Sequence, residues 1–186
     1  MSFDFSTLIT DRTAQDVSYL ESLLQTDMDT WTDGPTVGRA VVGEAVLGEG
    51  VLPWFLRGSL RGAYTHVDLN RVGACLQYLS AQLAQYGYNA PVTARTNWTD
   101  EGWNNPADSA AYLRDVETVR SVFAVFDTTP KTPARMGESS LGAGDGLTYS
   151  GANDIEKILQ DVHLLFQSML TGFVPCGEAI CGGDNL

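Results

Sequence analysis

Lysine is nearly missing from this 186-residue sequence. Lys131 and Lys157 are the only two, and Lys plus Arg number 11 against 23 Asp plus Glu, a formal charge of −12 at pH 7. A protein that grips duplex nucleic acid neutralises phosphates with clustered basic side chains, and this chain has neither the number nor the clustering. Nucleic acid and anionic membrane are thus excluded as expected partners. Long apolar runs are missing as well, since no window reaches the roughly 20 residues of a membrane-spanning helix. The first ten residues lack the basic start and apolar stretch of a secretory signal, so the protein is expected to be made soluble in a cytoplasm. Three cysteines, Cys75, Cys176 and Cys181, are too few for a disulfide framework. Histidine is limited to His66 and His163, and neither has a local Ser or Cys partner of the kind nucleophilic catalysis needs. Charged residues make up only 18%, while 19 glycines and many Ser, Thr and Asn supply uncharged polarity suited to contact with other protein subunits.

What is present is helical periodicity. Val17, Leu20, Leu23 and Leu24 recur at steps of three and four behind a Thr13–Asp16 capping box, predicting a helix over about 11 to 26. Leu69, Val72, Cys75, Leu76, Leu79 and Leu83 define a second, with Thr65 and Asp68 as its capping pair and Gly87 as its stop. A third follows Asn105-Pro106 and carries Leu113, Val116, Val119, Val122, Phe123 and Phe126 on one face, ended by Pro130 and Pro133. The fourth starts near Ser150. It has Ile155, Ile158, Leu159, Val162, Leu165, Phe166 and Met169 along one stripe, with Asp154, Glu156, Lys157 and Asp161 opposite and Gly172 after it. The four starts share two polar residues and then Val or Ile, at 17, 72, 116 and 155. Their intervals are unequal, which argues against a solenoid and for a bundle of unequal hairpins.

The predicted fold is therefore mainly α: an irregular bundle of about four amphipathic helices with long loops and a short extended C-terminal arm. Residues 1–172 form the helical domain. Within it, the glycine-rich stretch 34–61 is a loop or arm whose Trp54 and Phe55 either plug the bundle or insert into a neighbouring subunit. Residues 88–106 read as an extended crossing and 127–148 as a long flexible connection; such lengths often belong to binding or assembly surfaces.

Chemical motifs fail on inspection. Gly142-Ala143-Gly144-Asp145-Gly146 lacks the Lys and Ser/Thr of a phosphate loop and contains a repelling aspartate. Asp29, Trp31 and Asp33 imitate a calcium loop, but Ala40 stands where a bidentate Glu is needed. Two carboxylates acting as a cell-wall hydrolase pair would have nothing to select them among 23 acids. No catalytic, cofactor-binding or metal-binding residue is assigned, and no cofactor is expected. Residues 173–186 contain Cys-Gly twice, at Cys176 and Cys181, without the further ligands of a zinc site. They read as an extended arm whose backbone adds to another chain. Candidate subunit contacts are Trp54, Phe55, Phe173, Cys176 and Cys181.

Four stretches together carry a resemblance: Leu8-Ile9-Thr10-Asp11-Arg12-Thr13-Ala14-Gln15-Asp16-Val17; Gly62 to Val72 followed by Tyr78-Leu79; Thr96-Asn97-Trp98-Thr99; and Leu147 to Leu159. With the repeated Cys-Gly end, they resemble tail-associated structural proteins of phages and prophages from Gram-positive and gut bacteria. Residues 34–61 depart from that pattern. The resemblance implies a non-enzymatic virion protein of the tail or baseplate, made in the bacterial host cytoplasm. Its partners would be other virion structural proteins, in a homo-oligomer or a hetero-oligomeric particle. The alternative is a receptor- or glycan-binding module in which Trp31, Trp54, Trp98 and Trp103 offer stacking faces.

Overall fold

The computed structural model describes residues 2–24, 61–99, 106–134, 136 and 147–172. Four helices and a short 3-10 turn, Phe5–Thr7, form the described part, and no strand occurs in it. Nearly all of the segment 34–61, with Trp54 and Phe55, lies outside the described residues, as does the arm 173–186 with Phe173, Cys176 and Cys181.

Helix α1, Ala14–Leu24, begins after the expected box: the Thr13 amide donates to Asp16 Oδ2 at 2.7 Å, and Thr13 Oγ1 accepts from the Asp16 amide at 3.3 Å. It lies against Gly62, which approaches the Asp16 carbonyl and Leu20, and its Val17 and Leu20 are half-buried. Helix α2, His66–Gln85, has the complete Thr65–Asp68 capping box. It closes as predicted at Gly87 (φ 84°), where the Gly87 amide bonds Ala84 O and the Tyr88 amide bonds Leu83 O, the two bonds of a Schellman end. Helix α3 is Pro106–Arg120 and α4 is Tyr149–Gly172.

The core joins α2, α3 and α4. Leu69, Val72, Cys75, Leu76, Leu79 and Leu83 pack on Val116, Val119, Ile155, Ile158, Leu159, Val162 and Phe166, all essentially without solvent contact. These three helices run in the same direction. Asp68 and Arg71 meet Glu156 near the helix starts, whereas Tyr86 meets Phe166 near the ends. Tyr64 meets Tyr112 at one end and Tyr88 meets Phe123 at the other. The hairpin arrangement is thus corrected. Co-directional neighbours need connections that travel back, and a helix of 20 residues is about 30 Å long, or about nine extended residues.

Both long connections make that return trip. Along α2 the segment 88–99 descends in order: Ser80 Oγ donates to Ala90 O (2.6 Å), Gln77 Nε2 to Ala94 O (2.7 Å), and Asn70 exchanges two bonds with the Trp98 backbone (2.7 and 3.0 Å). The second strap starts where Arg120 Nε donates to Pro130 O (2.8 Å) and Thr129 Oγ1 to Asp161 Oδ2 (2.8 Å), and reaches Gly151 at Pro133. The extended crossing expected at 88–106 is borne out over 88–99. Of the flexible connection expected over 127–148, residues 135 and 137–146 lie outside the described residues, and in the described part Thr129 and Met136 are buried.

One further expectation changes. α3 stops at Arg120, ten residues before Pro130, because Val122 bonds Val119 O in a tight turn that starts the return path; Phe126 is then exposed. On the polar side of α4, Glu156 (0% exposed) and Asp161 (2%) are buried under the N-terminal segment and the second strap.

Candidate functional site

The most concentrated chemistry is an ionic cluster that joins three parts of the chain. Arg12 comes from the segment before α1, Asp68 and Arg71 from the first turns of α2, and Glu156 from α4. Arg12 Nη2 donates to Asp68 Oδ1 (2.9 Å) and Glu156 Oε1 (2.7 Å), and Nη1 to Ile9 O (2.7 Å). Arg71 grips Glu156 through Nε (3.2 Å) and Nη2 (2.8 Å), and Nη2 also reaches Asp68 Oδ1 (2.5 Å). Asn153 completes the attachment, accepting from the Arg12 amide (3.0 Å) and donating to its carbonyl (2.9 Å).

Two guanidinium groups and two carboxylates make the cluster neutral. A carboxylate has about four acceptor positions. Those of Glu156 are filled by Arg12, by Arg71 twice and by the Ile9 amide (2.6 Å); those of Asp68 take both arginines together with the Thr65 amide and hydroxyl. Neither has an acceptor position left with which to take a proton from a substrate. Burial opposes the Arg71 charge, but the Glu156 and Asp68 carboxylates more than offset it and hold its pKa above the ordinary value. Tyr64 lies under Arg12 (5.4 Å from guanidinium to ring centre), and its hydroxyl meets that of Tyr112 at 2.8 Å. Burial pushes both phenols well up, helped for Tyr64 by the Glu156 charge. Cys75 is also raised, by burial and then by Glu156, so it stays a thiol and serves as the predicted core residue.

A second site lies beside α3. Thr93, Arg95, Trp98, Asp108, Tyr112 and Asp115 line a cavity of about 230 Å³. Asp115 accepts from the Thr93 amide (2.9 Å) and hydroxyl, fixing the strap, while the Arg95 guanidinium lies 3.7 Å over the Trp98 ring and pairs with Asp108 at 3.5 Å. Trp98 is 6% exposed, so it plugs the core and offers no stacking face to a sugar. Trp31, Trp54 and Trp103 lie outside the described residues. His163 stacks on Phe5 (3.6 Å, 10°), its Nδ1 is buried without a hydrogen-bond partner, and burial lowers its pKa. Among the described residues no group of three or more His, Cys, Asp or Glu could hold a metal ion, and no helix is long and apolar enough to cross a membrane.

No protein-family model, curated protein or solved structure matches this chain.

None of the five residues expected to contact other subunits lies among the described ones, so the cluster and the cavity are sites that sequence reasoning missed. Asp68 was visible as a cap. Arg12 and Glu156 carry no motif, because their pairing spans 144 positions and only the assembled core brings them together.

Proposed function

We propose that this chain is a non-enzymatic structural protein of a virion, a tail or baseplate component. It is made in the host cytoplasm and joined to other virion proteins by protein–protein contacts. The observation that supports this reading is where the four stretches of the resemblance meet. Arg12 comes from the first, Asp68 and Arg71 from the second, Trp98 from the third and Asn153 and Glu156 from the fourth, and all serve to fasten the chain to itself. Buried acids engaged as fasteners, with straps pinned along the helices, make a rigid block of the kind a particle repeats. The large acidic excess keeps such a block soluble before assembly.

The test is the particle itself. Virions or tail-like particles purified from the producing cell are expected to contain the chain by mass spectrometry, with density for it in the tail by electron microscopy. A chain that stays monomeric and is missing from purified particles overturns the reading.

A further inference from the structure

The cavity beside α3 brings together three groups whose bonding is incomplete. Asp115 is 4% exposed, and its partners among the described residues are the Thr93 amide at 2.9 Å and hydroxyl at 3.1 Å, both on Oδ2. The nearest donor to Oδ1 is the same hydroxyl, at 3.4 Å. A carboxylate taken out of water is costly to hold without a cation, yet Asp115 forms no ion pair among the described residues. The Arg95 guanidinium has the opposite surplus. It pairs with Asp108 at 3.5 Å but makes no hydrogen bond among the described residues, so its N–H donors are open. Trp98, whose ring lies 3.7 Å beneath that guanidinium, has a buried Nε1 with no hydrogen-bond partner.

We propose that this cavity binds a free α-amino acid as its zwitterion, the ammonium on Asp115 Oδ1 and the carboxylate on the Arg95 guanidinium. Three observations select this ligand. The first is charge: Arg95 and Asp115 line one cavity yet form no ion pair with each other, so a ligand between them needs an anionic end for the open donors and a cationic end for the buried carboxylate. A guanidinium fork matches a carboxylate. The second is size: about 230 Å³ is below the roughly 300–1,000 Å³ of drug-sized sites and equals about seven waters at about 30 Å³ each, which suits an amino acid and excludes a nucleotide. The third is the remaining wall: Ala94 and Ala111 are small and apolar, so the fitting side chain is an uncharged aliphatic one.

The probe is L-valine, added to the isotopically labelled full-length protein and followed by nuclear magnetic resonance at the Trp98 indole N–H and the Thr93 amide. Saturable shifts are expected at both. Isobutylamine is valine without its carboxylate and isovalerate is valine without its ammonium; each leaves a charged hydrogen bond unmade and is expected to bind about tenfold more weakly or worse. Arg95→Gln, at a part-exposed position, should lower valine affinity by a similar factor and leave isobutylamine unaffected, whereas Asp115→Asn should weaken both. If loss of the Thr93 attachment unfolds Asp115→Asn, then Arg95→Gln and the two analogues carry the test alone. The proposal is overturned by the lack of a saturable shift with valine, by an analogue that binds as tightly as valine, or by unchanged valine affinity in Arg95→Gln. None of these results depends on whether the chain is found in particles.

Discussion

Glu156 is an acidic side chain at a fully buried position, and its stability depends on all four of its donors being present. Glu156→Ala leaves Arg12 and Arg71 without their shared partner, and removing one side of a buried ion pair costs about 3–5 kcal/mol. Urea unfolding is expected to show that loss as a lower midpoint at unchanged slope. His163 behaves differently. Its pKa in the folded chain lies below the ordinary 6.5 because burial disfavours the charged ring, so the unfolded chain takes up the proton first. The His163 contribution is therefore complete above pH 6.5 and is lost as pH falls through 6.5 toward the lower folded value. Replacing it by Gln is expected to flatten the stability curve between about pH 7 and pH 5, checked by urea titrations across that range. If the two proteins lose stability in parallel, the ring is not the group responsible.

The return strap 88–99 is the element whose attachment is most exposed to single substitutions. Gly73 sits where the Arg95 carbonyl crosses α2, and a Cβ there would overlap that backbone oxygen. Gly73→Ala is expected to displace the strap and to cost about 1–3 kcal/mol, as overpacking does. Asn70→Ala removes both bonds to the Trp98 backbone, with an expected loss of about 1–3 kcal/mol from the groups left unpaired. Hydrogen exchange at the Trp98 amide separates the two variants from a general destabilisation, since exchange should speed there before it does in the α4 core. Helix α2 itself was legible in the sequence from cap to stop. Its apolar spacing, capping box and terminal glycine are local, and each recurs in the structure. The end of α3 was not legible, because the turn at Val122 answers to the path of the second strap and the Arg120 bond to Pro130, both set by partners outside the helix.

For the whole molecule, Arg12 fastens the N-terminal segment across the starts of α2 and α4. Deleting residues 2–12 strips Asp68 and Glu156 of a shared cation and removes the Ile9 amide from Glu156. Far-ultraviolet circular dichroism of the deletion variant should keep most of its helical signal. Its melting should become broad, and the first turn of α2 should lose protection from hydrogen exchange; a sharp melt at the original temperature would show that the clasp is dispensable. The sequence by itself determined the helical class, the core faces of α2 and α4 and the absence of a basic surface, because periodicity, capping and net charge are properties of neighbouring residues or of simple counts. Only the tertiary structure decided that α2, α3 and α4 run in one direction, that the long connections are straps and that Asp68, Asp115, Glu156 and Asp161 lie inside. Those outcomes depend on contacts between residues far apart in the chain, such as Arg12 with Glu156 and Thr129 with Asp161, where an acid on the polar side of a helix meets a partner that only the packed core can deliver.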